Sequence, residues 1–219
     1  MGFFRKHSGS ASYDLFTNHS HYVPGYSGMF MLFVMFLIGA LLGSLIVGAM
    51  GVVSMEFAQI YGTVISYPVM FIPPWLYVTA QSRRNEFFET GYALDSSNFG
   101  RLGGFRMALI VSVATLALGF VTDSLNAIMP ETPEWFENAM SQIMDAPVWI
   151  TLISVSIFAP LFEEWLCRGV ILRGLLQKTH PVSAILVSAV FFAVLHMNPW
   201  QALPAFCLGL LFGYVYYKT

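Results

Sequence analysis

MFMLFVMFLIGALLGSLIVGAMGVV, residues 29–53, runs for 25 residues without one charged side chain. A helix needs about 20 mostly apolar residues to cross the hydrocarbon core of a bilayer. This stretch is long enough and reads as a transmembrane helix. Gly39, Gly43 and Gly48, with Ser44 beside them, recur at close to four-residue spacing. Small residues so placed let two helices approach closely in lipid.

The rest of the chain has the same character. Of its 219 residues 57% are hydrophobic and 10% are charged, with a net charge of −2. The mean hydropathy is +0.67. Soluble domains carry about 25% charged residues. The shortfall excludes a soluble single-domain enzyme. It also excludes a disordered chain, which needs low hydrophobicity and high net charge. A nucleic-acid binder needs basic clusters, and none is present. Cys167 and Cys207 lie apart in apolar stretches, so they form neither a disulfide framework nor a zinc ribbon.

Working outward, five more apolar stretches of spanning character follow, at roughly 57–81, 105–128, 147–176, 181–198 and 201–217. The second span holds Pro68, Pro73 and Pro74, so neighbouring helices must satisfy its freed carbonyls. Asp123 lies near the end of the third, where it reaches the interface. Between the third and fourth spans, residues 130–147 repeat apolar side chains at helical spacing (Trp135, Phe136, Met140, Ile143, Met144), with Glu131, Glu134 and Glu137 mostly between them. That pattern predicts a short amphipathic helix in the membrane interface. The predicted fold class is all-α: a polytopic bundle of about six spans, with 29–219 a single transmembrane domain and 1–28 a polar cytosolic lead-in. No apolar core follows Lys6 directly, so 1–28 is not a signal peptide.

Orientation follows from lysine and arginine in the loops. Arg5, Lys6, Arg83, Arg84, Arg101, Arg106, Arg173, Lys178 and Lys218 all fall on alternate loops, and the opposite loops hold none. With six spans, this puts the N-terminus and every basic loop in the cytoplasm.

The tenth basic residue, Arg168, lies inside the fourth span in PLFEEWLCRGVILRGLL, residues 160–176, together with Glu163 and Glu164. Ionisable groups inside a span are costly and usually mark function. Glu164 and Arg168 are four apart, share a helix face and can pair. Glu163 points about 100° away from Glu164 and is left without that cation, free to act as a general acid or base. Pro160, three residues earlier, predicts a bend beside the pair. The fifth span ends FFAVLHM, with His196 one turn after Phe192. Glu163 and His196 are expected toward the cytoplasmic half or the middle of their helices. From adjacent antiparallel helices they could hold one water, or share a divalent metal such as zinc. Two blander readings stand beside this one: an interfacial charge pair around Arg168, and a His that only makes structural hydrogen bonds.

The joint pattern is more specific than its parts. FEEWLCRGVILRGLL resembles the first motif of the CPBP family, the CAAX-processing and bacteriocin-processing (Abi) intramembrane proteases. FAVLH, residues 192–196, resembles the second motif, and AFCLGLLFGYVYYKT, residues 205–219, resembles the Gly-rich helix that follows. The resemblance covers about 147–219. It implies an endopeptidase active within the membrane, in which Glu163 and His196 position the attacking water and Glu164 and Arg168 organise the site, with Phe192 in the second motif. It leaves open whether a metal takes part. The family usually continues into another helix with a His and an Asn that stabilise the oxyanion. This sequence stops at Thr219, and the expectation is a truncated family core.

The expected function is therefore a CPBP-type intramembrane protease acting on a peptide or membrane-protein substrate. The expected location is a prokaryotic cytoplasmic membrane. The alternative is a non-catalytic membrane scaffold or immunity protein that keeps the fold. A proton-coupled transporter is less favoured, because no repeat relates the two halves. The chain lacks His-Glu-x-x-His and Gly-x-Ser-x-Gly, so zincin and nucleophile-elbow chemistry are not expected.

Overall fold

The computed structural model describes residues 22–84, 102–126 and 129–219. The lead-in up to residue 21 and Arg101 lie outside the described residues. Seven helices account for nearly all of the rest, and no strand occurs among the described residues. They are α1 (Tyr26–Val53), α2 (Met55–Arg84), α3 (Gly103–Asn126), α4 (Glu134–Asp145), α5 (Val148–Leu176), α6 (Pro181–Leu195) and α7 (Pro199–Lys218).

Helices stand at all six expected spans, and α4 stands at the expected amphipathic segment. Three of them, α1, α3 and α5, are by themselves long and apolar enough to cross a membrane. The other three fall short for separate reasons. α2 is interrupted by Gln59, Thr63, Ser66, Gln81 and its three prolines. α6 is apolar but has 15 residues, so it is only about 22 Å long. α7 carries Gln201, Pro204, three tyrosines and Lys218.

α1 and α2 form an antiparallel hairpin joined by Ser54 alone, whose backbone is extended. The Ser54 hydroxyl accepts a hydrogen bond from the Phe57 amide at 3.2 Å and so starts α2. The two helices touch at backbone distance. A Cβ added at Gly39 would lie 2.1 Å from the Met70 carbonyl oxygen, and one at Gly43 would meet Ser66. Gly48, grouped with these by its spacing, faces open space, because the close approach is confined to the middle of α1.

α5 is the centre of the bundle. Leu166, Cys167, Val170, Ile171 and Leu172 are wholly buried. They pack with Leu32 and Phe36 of α1, Phe71 and Val78 of α2, Ala184, Phe192 and Leu195 of α6, and Ala205 of α7. α5 is not a uniform α-helix. Leu152–Phe158 and Trp165–Leu172 are π-helical, on either side of the α-helical segment Ala159–Glu164. The Ala159 amide reaches back five residues to the Ser154 carbonyl. Pro160, next in the ladder, has no N–H to offer. The register therefore widens where the ladder has a gap in any case, and the helix continues through the proline.

Residues 22–25 pack on the bundle. The Lys178 ammonium donates to the Val23 carbonyl at 3.4 Å, Tyr22 and Tyr77 share a hydroxyl contact at 3.3 Å, and Gly174 leaves room for Pro24. α4 is docked at both ends. Trp135 and Phe136 pack on Trp200 at the start of α7, and the Thr151 hydroxyl of α5 donates to the Ile143 carbonyl at 3.0 Å. Among the described residues α3 packs closely on α7 and leaves Leu109, Val113, Leu116 and Phe120 exposed.

Candidate active site

The acidic pair of α5 divides as helix geometry requires. Glu164 and Arg168 form the ion pair expected from their spacing, Arg168 Nη1 lying 3.1 Å from Glu164 Oε1. The Arg168 side chain is 2% exposed, against 41% for Glu164. The guanidinium does more than pair. Nη2 donates to the Gly209 carbonyl of α7 at 3.4 Å. Its carbon lies 4.7 Å from the centre of the Phe192 ring and 5.5 Å from that of Phe212. One buried cation thus ties α5 to α6 and α7, with aromatic faces replacing part of its hydration. Close by, the Ser188 hydroxyl of α6 donates to the Cys167 carbonyl at 3.0 Å, inside the π-helical stretch.

Glu163 points the other way, to α2. Its Oε1 accepts a hydrogen bond from the Tyr67 hydroxyl at 2.5 Å. Sequence reasoning left Glu163 without the local Arg, set it opposite His196, and missed Tyr67. The available signal was a phenol in the middle of a proline-interrupted span, which must find a partner when buried. The Tyr67 ring packs on Phe71, and Phe71 stacks on Phe162 with centroids 5.3 Å apart. Phe162 is the residue before Glu163, so one aromatic chain supports both ends of the hydrogen bond.

His196 caps the C-terminal end of α6. That is deeper toward the α4 side than the expected place in the cytoplasmic half or the middle. The reason is local. Asn198 accepts from the Gln201 amide at 2.8 Å and starts α7, and Pro199 takes its first position, so α6 has to end before them. Between the two helices Met197 adopts a left-handed backbone, φ 52°. The Asn198 side-chain amide donates to the His196 carbonyl at 2.7 Å, which fixes the turn. The His196 ring stands edge-on to Phe192 at 5.0 Å, and its Nδ1 lies 2.9 Å from the Phe192 carbonyl oxygen. A carbonyl can only accept, so in the neutral ring Nδ1 carries the hydrogen and Nε2 keeps its lone pair. His196 is near enough to Glu163 for their charges to interact.

Glu164, Arg168, Phe192 and His196 are thus linked across the contact of α5 with α6, Glu163 turns from it toward α2, and the structure adds Tyr67, Ser188 and Gly209. Beside Glu163, an apolar groove of about 400 Å³ runs between α2 and α5, lined among others by Phe71, Ile72, Trp75, Leu161, Phe162 and Trp165. Among the described residues no three His, Cys, Asp or Glu side chains come together. Glu163 and His196 alone fall short of the three protein ligands that hold a catalytic zinc, so the described residues do not by themselves fit such a site.

Residues 145–219 match the family described as Rce1-like, type II CAAX prenyl endopeptidase Rce1-like. No curated protein matches the chain, and no solved structure does.

Proposed function

We propose, for a membrane chain whose residues 145–219 belong to the CPBP/CAAX protease family, that it is an intramembrane endopeptidase using Glu163 and His196 to activate water. The observation that supports this reading is that the Glu163 carboxylate and the His196 imidazole each have one polar atom engaged elsewhere and lie within range of each other's charge. Glu163 has one oxygen engaged by Tyr67. His196 has Nδ1 engaged by the Phe192 carbonyl. Each keeps one basic atom, Oε2 or Nε2, for a shared water.

The chemistry is general base catalysis followed by general acid catalysis. A water between the two groups gives up a proton as its oxygen attacks the scissile carbonyl carbon. The tetrahedral intermediate collapses, the C–N bond breaks, and the stored proton goes to the leaving amine. Glu164 and Arg168 do not touch the water. They hold α5 against Phe192 and so set the spacing of the two bases.

The groove beside Glu163 suits a substrate that brings an apolar chain to the site. A prenylated CAAX peptide, the substrate in the family's name, has one; other membrane-bound peptides or proteins with an apolar segment also fit. The basic loops support an N-terminus in the cytoplasm. The test is cleavage of a fluorogenic farnesylated CAAX peptide by the full chain in liposomes. Glu163→Ala and His196→Ala are each expected to abolish cleavage while leaving the protein folded. Full activity in both variants sinks the reading.

A further inference from the structure

Tyr67 stands outside both sequence motifs, on a helix outside the family match, yet among the described residues it is the side chain that hydrogen-bonds Glu163. A carboxylate on a helix can rotate about several bonds, and a general base 1 Å out of place loses much of its effect. Something must choose which oxygen faces the water. The Tyr67 hydroxyl donates to Oε1 at 2.5 Å, and an O–H donor to an ionised carboxylate makes a stronger bond than one to a neutral acceptor. The phenol cannot drift, because Phe71, 2% exposed, packs on its ring and stacks in turn on Phe162. The donor and the backbone that carries the acceptor are therefore located by the same three aromatic rings. Pro68, which follows Tyr67 directly, and Phe162, which precedes Glu163, both lie on the wall of the apolar groove.

We propose that Tyr67 is a positioning residue for the hydrolytic site: its hydroxyl fixes Oε1 of Glu163 and thereby presents Oε2 to the attacking water. This rests on the reading of Glu163 as the base. Tyr67 gives up no proton in the cycle. It stays the donor to Oε1 when Oε2 takes the water's proton and when Oε2 returns it to the leaving amine.

The experiment compares Tyr67→Phe with the parent chain in liposomes on the farnesylated CAAX peptide. Phenylalanine keeps the stack on Phe71 and removes only the hydroxyl. Loss of a hydrogen bond to a charged group predicts a fall in kcat of about 10- to 100-fold, with KM within about twofold and the unfolding midpoint little changed. In a Glu163→Asp background, whose shorter side chain leaves Oε1 out of reach, Tyr67→Phe is expected to change kcat by less than about twofold, since coupled residues do not add. A Tyr67→Phe enzyme with parental kcat, while Glu163→Ala is dead, overturns the inference and leaves the base intact. Equal losses in the two backgrounds also overturn it. If Glu163→Ala is fully active, the function reading itself has failed.

A second measurement needs no turnover. The infrared difference spectrum between the parent and Glu163→Gln isolates the Glu163 carboxyl bands. The inference requires those bands to shift when Tyr67 is replaced by Phe, and unshifted bands overturn it.

Discussion

Nδ1 of His196 is committed to the carbonyl of Phe192, 2.9 Å away and one turn earlier on α6. The same Phe192 presents its ring to the Arg168 guanidinium. One residue therefore sets the tautomer of the imidazole with its backbone and the position of the helix with its side chain. Nε2 is the ring nitrogen that keeps its lone pair.

This relationship makes His196→Asn an informative substitution. The Asn side-chain amide can replace Nδ1–H as the donor to the Phe192 carbonyl, but it has nothing in the place of Nε2. The variant is expected to unfold within a few degrees of the parent and to cleave nothing. Nitrogen NMR of the labelled parent should show the hydrogen on Nδ1. A ring protonated only at Nε2 contradicts the proposed role.

Arg168 is expected not to tolerate lysine as an equivalent. Lysine keeps the charge beside Glu164 but loses the planar group over Phe192 and Phe212. Arg168→Lys should cost about 1–2 kcal/mol. Arg168→Ala, which also removes the wholly buried stem between α5, α6 and α7, should cost about 2–5 kcal/mol. Denaturant unfolding in micelles gives the order, and Lys as stable as the parent would dismiss the stacking.

Much of this site was legible in the sequence because its logic is local. The four-residue step from Glu164 to Arg168, and that from Phe192 to His196, are properties of one helix and can be counted along the chain. What could not be counted was the pairing across helices. Tyr67 and Glu163 are 96 residues apart, and nothing in a phenol says which span it will face. The π-helical turns of α5 were hidden for a related reason. They widen a ladder of backbone bonds, and the same apolar residues serve either register. The end of α6 was marked by Asn198-Pro199, yet the hydrophobic run through His196 outweighed that signal in reading depth.

Ser188 tests the π-helical stretch directly. Its buried hydroxyl supplies a donor to the Cys167 carbonyl at 3.0 Å. Ser188→Ala leaves that carbonyl without it and is expected to cost about 1–2 kcal/mol. The Cys167 thiol is wholly buried, so its labelling by a membrane-permeant maleimide reports local opening. The rate should rise severalfold in Ser188→Ala, and a rate equal to the parent's would mean that the hydroxyl does not hold this turn.

Gly39 links the hairpin to the site. Its added Cβ would fall 2.1 Å from the Met70 carbonyl oxygen, a backbone atom that cannot step aside alone. Gly39→Ala must therefore push α1 and α2 apart, at a cost of about 1–3 kcal/mol. Gly48 has open space around it, so Gly48→Ala should be neutral or stabilise by about 0.5–1 kcal/mol. Met70 is three residues beyond Tyr67 on the same helix. A displaced α2 carries the phenol away from Glu163, so Gly39→Ala should lower kcat as well as stability, whereas Gly48→Ala should lower neither. Measuring the two alanine variants side by side separates this route from a general effect of added bulk on α1. Equal losses of activity in both would show that the hairpin does not position Tyr67.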